Sequence, residues 1–93
     1  MPNTTSAMRH LRVSQKRRLR NRLMRSRAHT FVKKAKRLIE AGQLDEARAM
    51  AVQATSALDK AAEKGVMHKN TVARKKSRLM KKLNQAQSAV DMG

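Results

Sequence analysis

Between Met24 and Leu38 the larger apolar residues and alanines fall at Met24, Ala28, Phe31, Ala35 and Leu38, stepping by four and three in alternation. That spacing keeps them on one face of an α-helix, and Val32 and Ile39 widen the stripe. A second series, Leu44, Ala47, Ala51, Ala54, Leu58 and Ala61, steps by three and four without a break. Alanine at most of its positions lets a neighbouring helix approach closely. A third series, Val72, Leu79, Leu83, Ala86 and Val90, keeps the same period, with Lys76 standing where an apolar residue would fit. No segment alternates with period two, so no strand is predicted. Pro2 is the only proline, and nothing after it interrupts a helix.

Local chemistry sets the boundaries. Ser6, after the polar Asn3-Thr4-Thr5, is the expected N-cap of a first helix running from about Ser6 to Ala41. Gly42 and Gly65 stand just past the ends of the first and second helices, where a positive φ costs glycine little. The second helix is predicted over Leu44–Lys64. Asp45 and Glu46 lie in its first turn and Lys64 in its last, each at the end of the helix dipole that favours its charge. The third is predicted over Lys69–Val90. Connections this short force consecutive helices antiparallel. The expectation is an all-α fold: an antiparallel three-helix bundle with a long, basic N-terminal helix extending beyond it, in a single domain over residues 1–93. Before Met24 the stripe thins to Met8, Leu11, Leu19 and Leu23 among basic residues, so that half of the first helix is expected to project.

Charge sharpens this picture. The first acid in the chain is Glu40, and thirteen Lys or Arg residues precede it. Residues 40–63 carry five acids against two bases; from Lys64 onward there are eight bases and one acid, Asp91. The net charge is +17. A run that positive repels itself and is stabilised by a polyanion. The core available to offset that repulsion is thin. Leu, Ile, Val and Phe number sixteen in 93 residues, beside fourteen Ala, and Phe31 is the only aromatic. Such a chain is marginal alone and is expected to be completed by a ligand.

Several chemistries are excluded. There is no Cys, hence no disulfide framework or thiolate metal site. No apolar run is long enough to span a bilayer, and the N-terminus lacks the apolar region of a secretory signal. Its Arg-rich, acid-poor opening with Thr4, Thr5 and Ser6 also describes a mitochondrial transit peptide, but the basic run continues unbroken into a patterned helix. His10, His29 and His68 have no carboxylate within four residues, and there is no Gly-rich phosphate loop. No catalysis, cofactor or metal is expected, and His10 and His29 read as solvated or phosphate-facing residues on a basic helix.

Nucleic acid is the partner that fits best. Membrane-surface binding needs bulky apolar residues opposite the basic face, and residues 8–23 offer no aromatic. Arg outnumbers Lys nine to four before Glu40, and a guanidinium grips a phosphate with two hydrogen bonds. Single-strand readers stack bases on aromatics, which this chain lacks. A helix that is positive all round suits a site enclosed by folded RNA, read through shape and phosphates. On this basis Arg12, Arg20, Arg22, Arg25 and Arg27 are candidate RNA-binding residues. A histone-like, DNA-compacting protein is the alternative.

Residues 65–79 read Gly65-Val66-Met67-His68-Lys69-Asn70-Thr71-Val72-Ala73-Arg74-Lys75-Lys76-Ser77-Arg78-Leu79. This segment closely resembles the signature of the family of the twentieth protein of the bacterial small ribosomal subunit. The Asn3…Ser6-Ala7 opening, the Ala41-Gly42 turn and the three-helix pattern agree, so the resemblance covers nearly the whole chain. It implies a non-catalytic protein of the cytoplasmic ribosome that binds small-subunit ribosomal RNA early in assembly. There it would bridge the RNA's 5′ domain and the long helix near the 3′ end, with few protein contacts, no membrane and no homo-oligomer. Carried over by position, the implied RNA-facing residues are Ser6, Arg9, Lys16, Arg17 and Arg18, then His68, Lys69, Asn70, Arg74, Lys75, Ser77 and Arg78. The chain departs from the family where Thr5 precedes the Ser-Ala pair, where Met8-Arg9-His10 follows it, and at Val72, where Ala is usual. His68 or Asn70 is expected to cap the third helix, whose N-terminus is a ready phosphate site.

Overall fold

The computed structural model describes residues 5–92, and its three helices are α1 (Thr5–Glu40), α2 (Leu44–Glu63) and α3 (Lys69–Met92). Asn3 and Thr4, expected to lead into the first helix, lie outside the described residues. Ser6 is already helical and is therefore not the cap. The first N–H groups of a helix have no intrahelical partner in any case, so a cap-favouring residue can also sit within the first turn.

Both glycine turns close their helices in the same way. Gly42 has φ +79° and Gly65 φ +72°. The Gly42 N–H donates to the Ile39 carbonyl at 3.1 Å and the Gln43 N–H to Leu38 at 3.0 Å. After α2, Gly65 donates to Ala62 at 3.1 Å and Val66 to Ala61 at 2.8 Å. These are Schellman motifs, which satisfy carbonyls that the ended helix leaves open. Lys64, expected in the last turn of α2, is its C-cap residue, and Lys60 is the base in that turn.

The core runs along the predicted stripes. Ala28, Val32, Ala35 and Ile39 of α1 meet Ala47, Ala51, Ala54, Leu58 and Ala61 of α2, and Val72, Leu79 and Leu83 of α3 close the third side. Leu58 and Leu79 are the largest fully buried side chains. The alanines keep α1 and α2 close over most of the α2 length, whereas α3 touches α1 lightly. Met24, Phe31 and Leu38 are half-buried at the margins of this core.

Lys76, the interruption in the third stripe, places its Nζ 2.9 Å from Asp59 Oδ1 on α2. Its stem lies along the α2–α3 groove while its charge meets a carboxylate at the rim, so one polar residue fits among apolar ones. Lys82 reaches Glu40 at 3.6 Å, and Arg48 hydrogen-bonds Gln87. Exposed pairs of this kind contribute at most about 1 kcal/mol each, so the apolar stripes decide the packing. The pairs nevertheless report the register. Residue 82 is level with the last residue of α1, and α1 and α3 run parallel. This corrects the expectation for Val90, which is 61% exposed. It lies on the core-facing stripe of α3, but two turns past the end of α1, where no helix remains to cover it.

Residues 5–20 of α1 are all exposed, and the described residues extend over 71 × 22 × 15 Å. The half of α1 before Met24 buries no side chain among the described residues and carries seven bases without an acid. In the free protein its amides are expected to exchange rapidly, because helix formation there opposes self-repulsion without burial. Hydrogen exchange checks this: protection at Arg17–Arg22 equal to that at Ala54–Leu58 would contradict it.

Candidate nucleic-acid interface

Successive helical residues turn by about 100°, so the bases of the projecting half of α1 point in every direction around its axis. Arg9, Arg12, Lys16, Arg17, Arg18, Arg20, Arg22, Arg25 and Arg27 are all exposed. Ser6, Arg9, His10 and Arg17 line one shallow concave face of this segment. None of the nine bases forms an ion pair among the described residues; the two pairs present use Lys76 and Lys82. The helix therefore offers its whole charge outward.

A second patch forms where α2 turns into α3. The His68 Nδ1 accepts the Asn70 N–H at 3.1 Å, so His68 caps α3 and Asn70 does not. As an acceptor Nδ1 carries no proton, which leaves Nε2–H on this exposed ring as a donor to a ligand. Lys69, Asn70, Arg74, Ser77 and Arg78 follow on α3 and are exposed, while Lys75 is half-buried. Arg74 and Arg78 lie one turn apart and address one surface.

The structure joins part of the α1 series to this second patch and leaves the rest apart. Arg25 lies near Lys75 through their shared neighbour His29. Ser6 lies roughly 28 Å further along the α1 axis at 1.5 Å per residue. The candidate surface thus has two ends rather than one centre. His29 is surrounded by cations: burial lowers its pKa from the usual 6.5, and Lys75, Lys33 and Arg25 lower it further. Lys33 was not among the residues singled out by sequence. The i, i+4, i+8 spacing of Arg25, His29 and Lys33 was the available signal, but the approach of Lys75 was not.

Most of the acids belong to α2. Asp45, Glu46, Asp59 and Glu63 are exposed along α2. Among the described residues no group of His, Asp or Glu is arranged to hold a metal ion, and no helix is long and apolar enough to cross a membrane.

Known proteins share this arrangement of sequence. The family model described as ribosomal protein S20 matches residues 2–84. The small ribosomal subunit protein bS20 of Thermomicrobium roseum is 60% identical over 84 residues, covering 90% of this chain and 85% of that protein. Its counterpart in Dehalococcoides mccartyi strain 195 is 57% identical over 86 residues, covering 92% of this chain and 98% of that protein. The protein of that name from Dictyoglomus thermophilum is 44% identical over 89 residues, with 96% of each chain covered. A match across nearly the whole length, including the turn into α3, decides the assignment: the chain belongs to the ribosomal protein S20 family.

Proposed function

We propose that this chain binds small-subunit ribosomal RNA directly and supports assembly of the subunit, as a structural component of the cytoplasmic ribosome. The observation that carries the reading is the projecting half of α1, with seven exposed bases around its axis and no acid. Such a rod is costly in isolation and is stabilised where RNA phosphates enclose it. The patch at the start of α3 provides a second contact. Its separation from the tip of α1 suits a bridge between two RNA segments, the 5′ domain and the long helix near the 3′ end. The chain is not an enzyme, since its family is a structural one.

Filter binding to full-length small-subunit ribosomal RNA and to random duplex DNA of matched length, at physiological salt, tests the reading. Preference for the ribosomal RNA is expected; equal affinity would favour a DNA-compacting role. Arg74→Ala combined with Arg78→Ala is expected to leave the thermal melt nearly unchanged, because both side chains are exposed and bridge no helices. RNA affinity should drop several-fold or more through lost phosphate contacts. A double variant that unfolds, yet binds normally when folded, would assign this face to the bundle instead.

A further inference from the structure

We propose that the groove between α1 and α2 holds a stretch of RNA backbone, with one phosphate shared by Arg20, Arg27 and Lys60. The inference rests on the RNA-binding reading and adds a subsite on α2, the helix which that reading leaves out. Arg20, Leu23, Arg27 and Thr30 step by three, four and three, which sets them along one flank of α1. Ala57 and Lys60, three residues apart on α2, line the same hollow of about 430 Å³ from the other side. A second hollow, of about 310 Å³, continues it along the seam and shares Arg27, Ala57 and Lys60. Met24 and Ala57 are half-buried and form the floor, whereas the three bases are exposed at the rim.

No acid lines either hollow. Neither Arg20, Arg27 nor Lys60 forms an ion pair among the described residues; Asp59, the neighbour of Lys60 in sequence, turns to Lys76 on α3 instead. The other base of α2, Arg48, is engaged by Gln87. The acidic helix thus contributes its one unengaged cation to a groove that already carries two, and like charges gathered in this way are stabilised by an anion. A sugar–phosphate backbone matches both parts of the lining. Its phosphate oxygens meet the rim, and its ribose carbons lie on the apolar floor. The hydroxyls of Ser26, Thr30 and Ser56 are placed to exchange hydrogen bonds with 2′-hydroxyls. The groove also opens at Arg20, where the exposed stretch of residues 5–20 ends, so RNA lying along the projecting half of α1 leads directly into it. A phosphate held there ties the root of that half to α2.

The chain has no Cys, so Ser56→Cys places a single thiol on the α2 side of the groove. Full-length small-subunit ribosomal RNA is expected to slow alkylation of that thiol several-fold. RNA that touches only α1 and the start of α3 would leave it as reactive as in the free protein. Lys60→Ala, at an exposed position, should leave the thermal melt unchanged. Its RNA affinity should fall several-fold, and its salt slope should become shallower by about 1. With RNA binding intact, an unprotected thiol or a normal affinity of Lys60→Ala would overturn the groove alone. Absence of preferential RNA binding by the wild type would overturn the RNA reading and the groove with it.

Discussion

Across a salt titration, log affinity for small-subunit ribosomal RNA is expected to fall against log salt with a slope on the order of −6, corresponding to roughly eight neutralised phosphates. Between 50 and 200 mM salt this is a loss of about three to four orders of magnitude. The expectation follows from where the charges lie. The bases of α1 before residue 28 are exposed and free of ion pairs, and Arg74 and Arg78 extend the surface on α3. Each phosphate they meet releases condensed counter-ions, and that release weakens as salt rises. Apolar contact or base readout would leave a much shallower dependence. A slope shallower than about −2 would mean that most of these side chains stay in solvent, and the projecting half of α1 would lose its assigned role.

Leu58→Ala is expected to destabilise the bundle by about 2–4 kcal/mol. Six of the twelve buried apolar residues are alanine, and Leu58 is one of two large side chains buried completely. Truncating it leaves a void that neighbouring alanines are too short to fill. For a domain of this size such a loss lowers the melting temperature by roughly 10–25 °C. Val52→Ala, one helix face away and 70% exposed, is the control and should stay within about 0.5 kcal/mol of wild type. Thermal melts of both variants check the pair. Similar melting temperatures for the two would show that the α2 seam does not carry the stability assigned to it.

Periodicity made the helices legible because each stripe is a property of one segment. Gly42 and Gly65 were legible for the same local reason: few residues other than glycine adopt φ near +75° without strain. What could not be read depended on how one helix lies against another. Lys76 looked like a flaw in its stripe until Asp59 of α2 appeared opposite it. Val90 fitted its stripe and is nevertheless exposed, because the end of α1 is fixed by Gly42 and no feature of residues 69–92 encodes it. Either His68 or Asn70 could cap α3 from the sequence, and only backbone geometry separates them. The basic candidate residues of α1 were visible as a run of charge, but the meeting of His29 with Lys75 is a tertiary fact.

The placement of charge along the long axis has a kinetic consequence. Glu40, Asp45, Glu46 and Asp91 gather around one end of the molecule, where α1 stops and α3 finishes, while the acid-free half of α1 forms the other. A body charged in this way experiences a torque as well as an attraction in the field of a polyanion. It turns before it touches, and the arginine-bearing tip leads. Rotational search, which slows the docking of most specific surfaces, is thereby shortened while the molecule is still in solution.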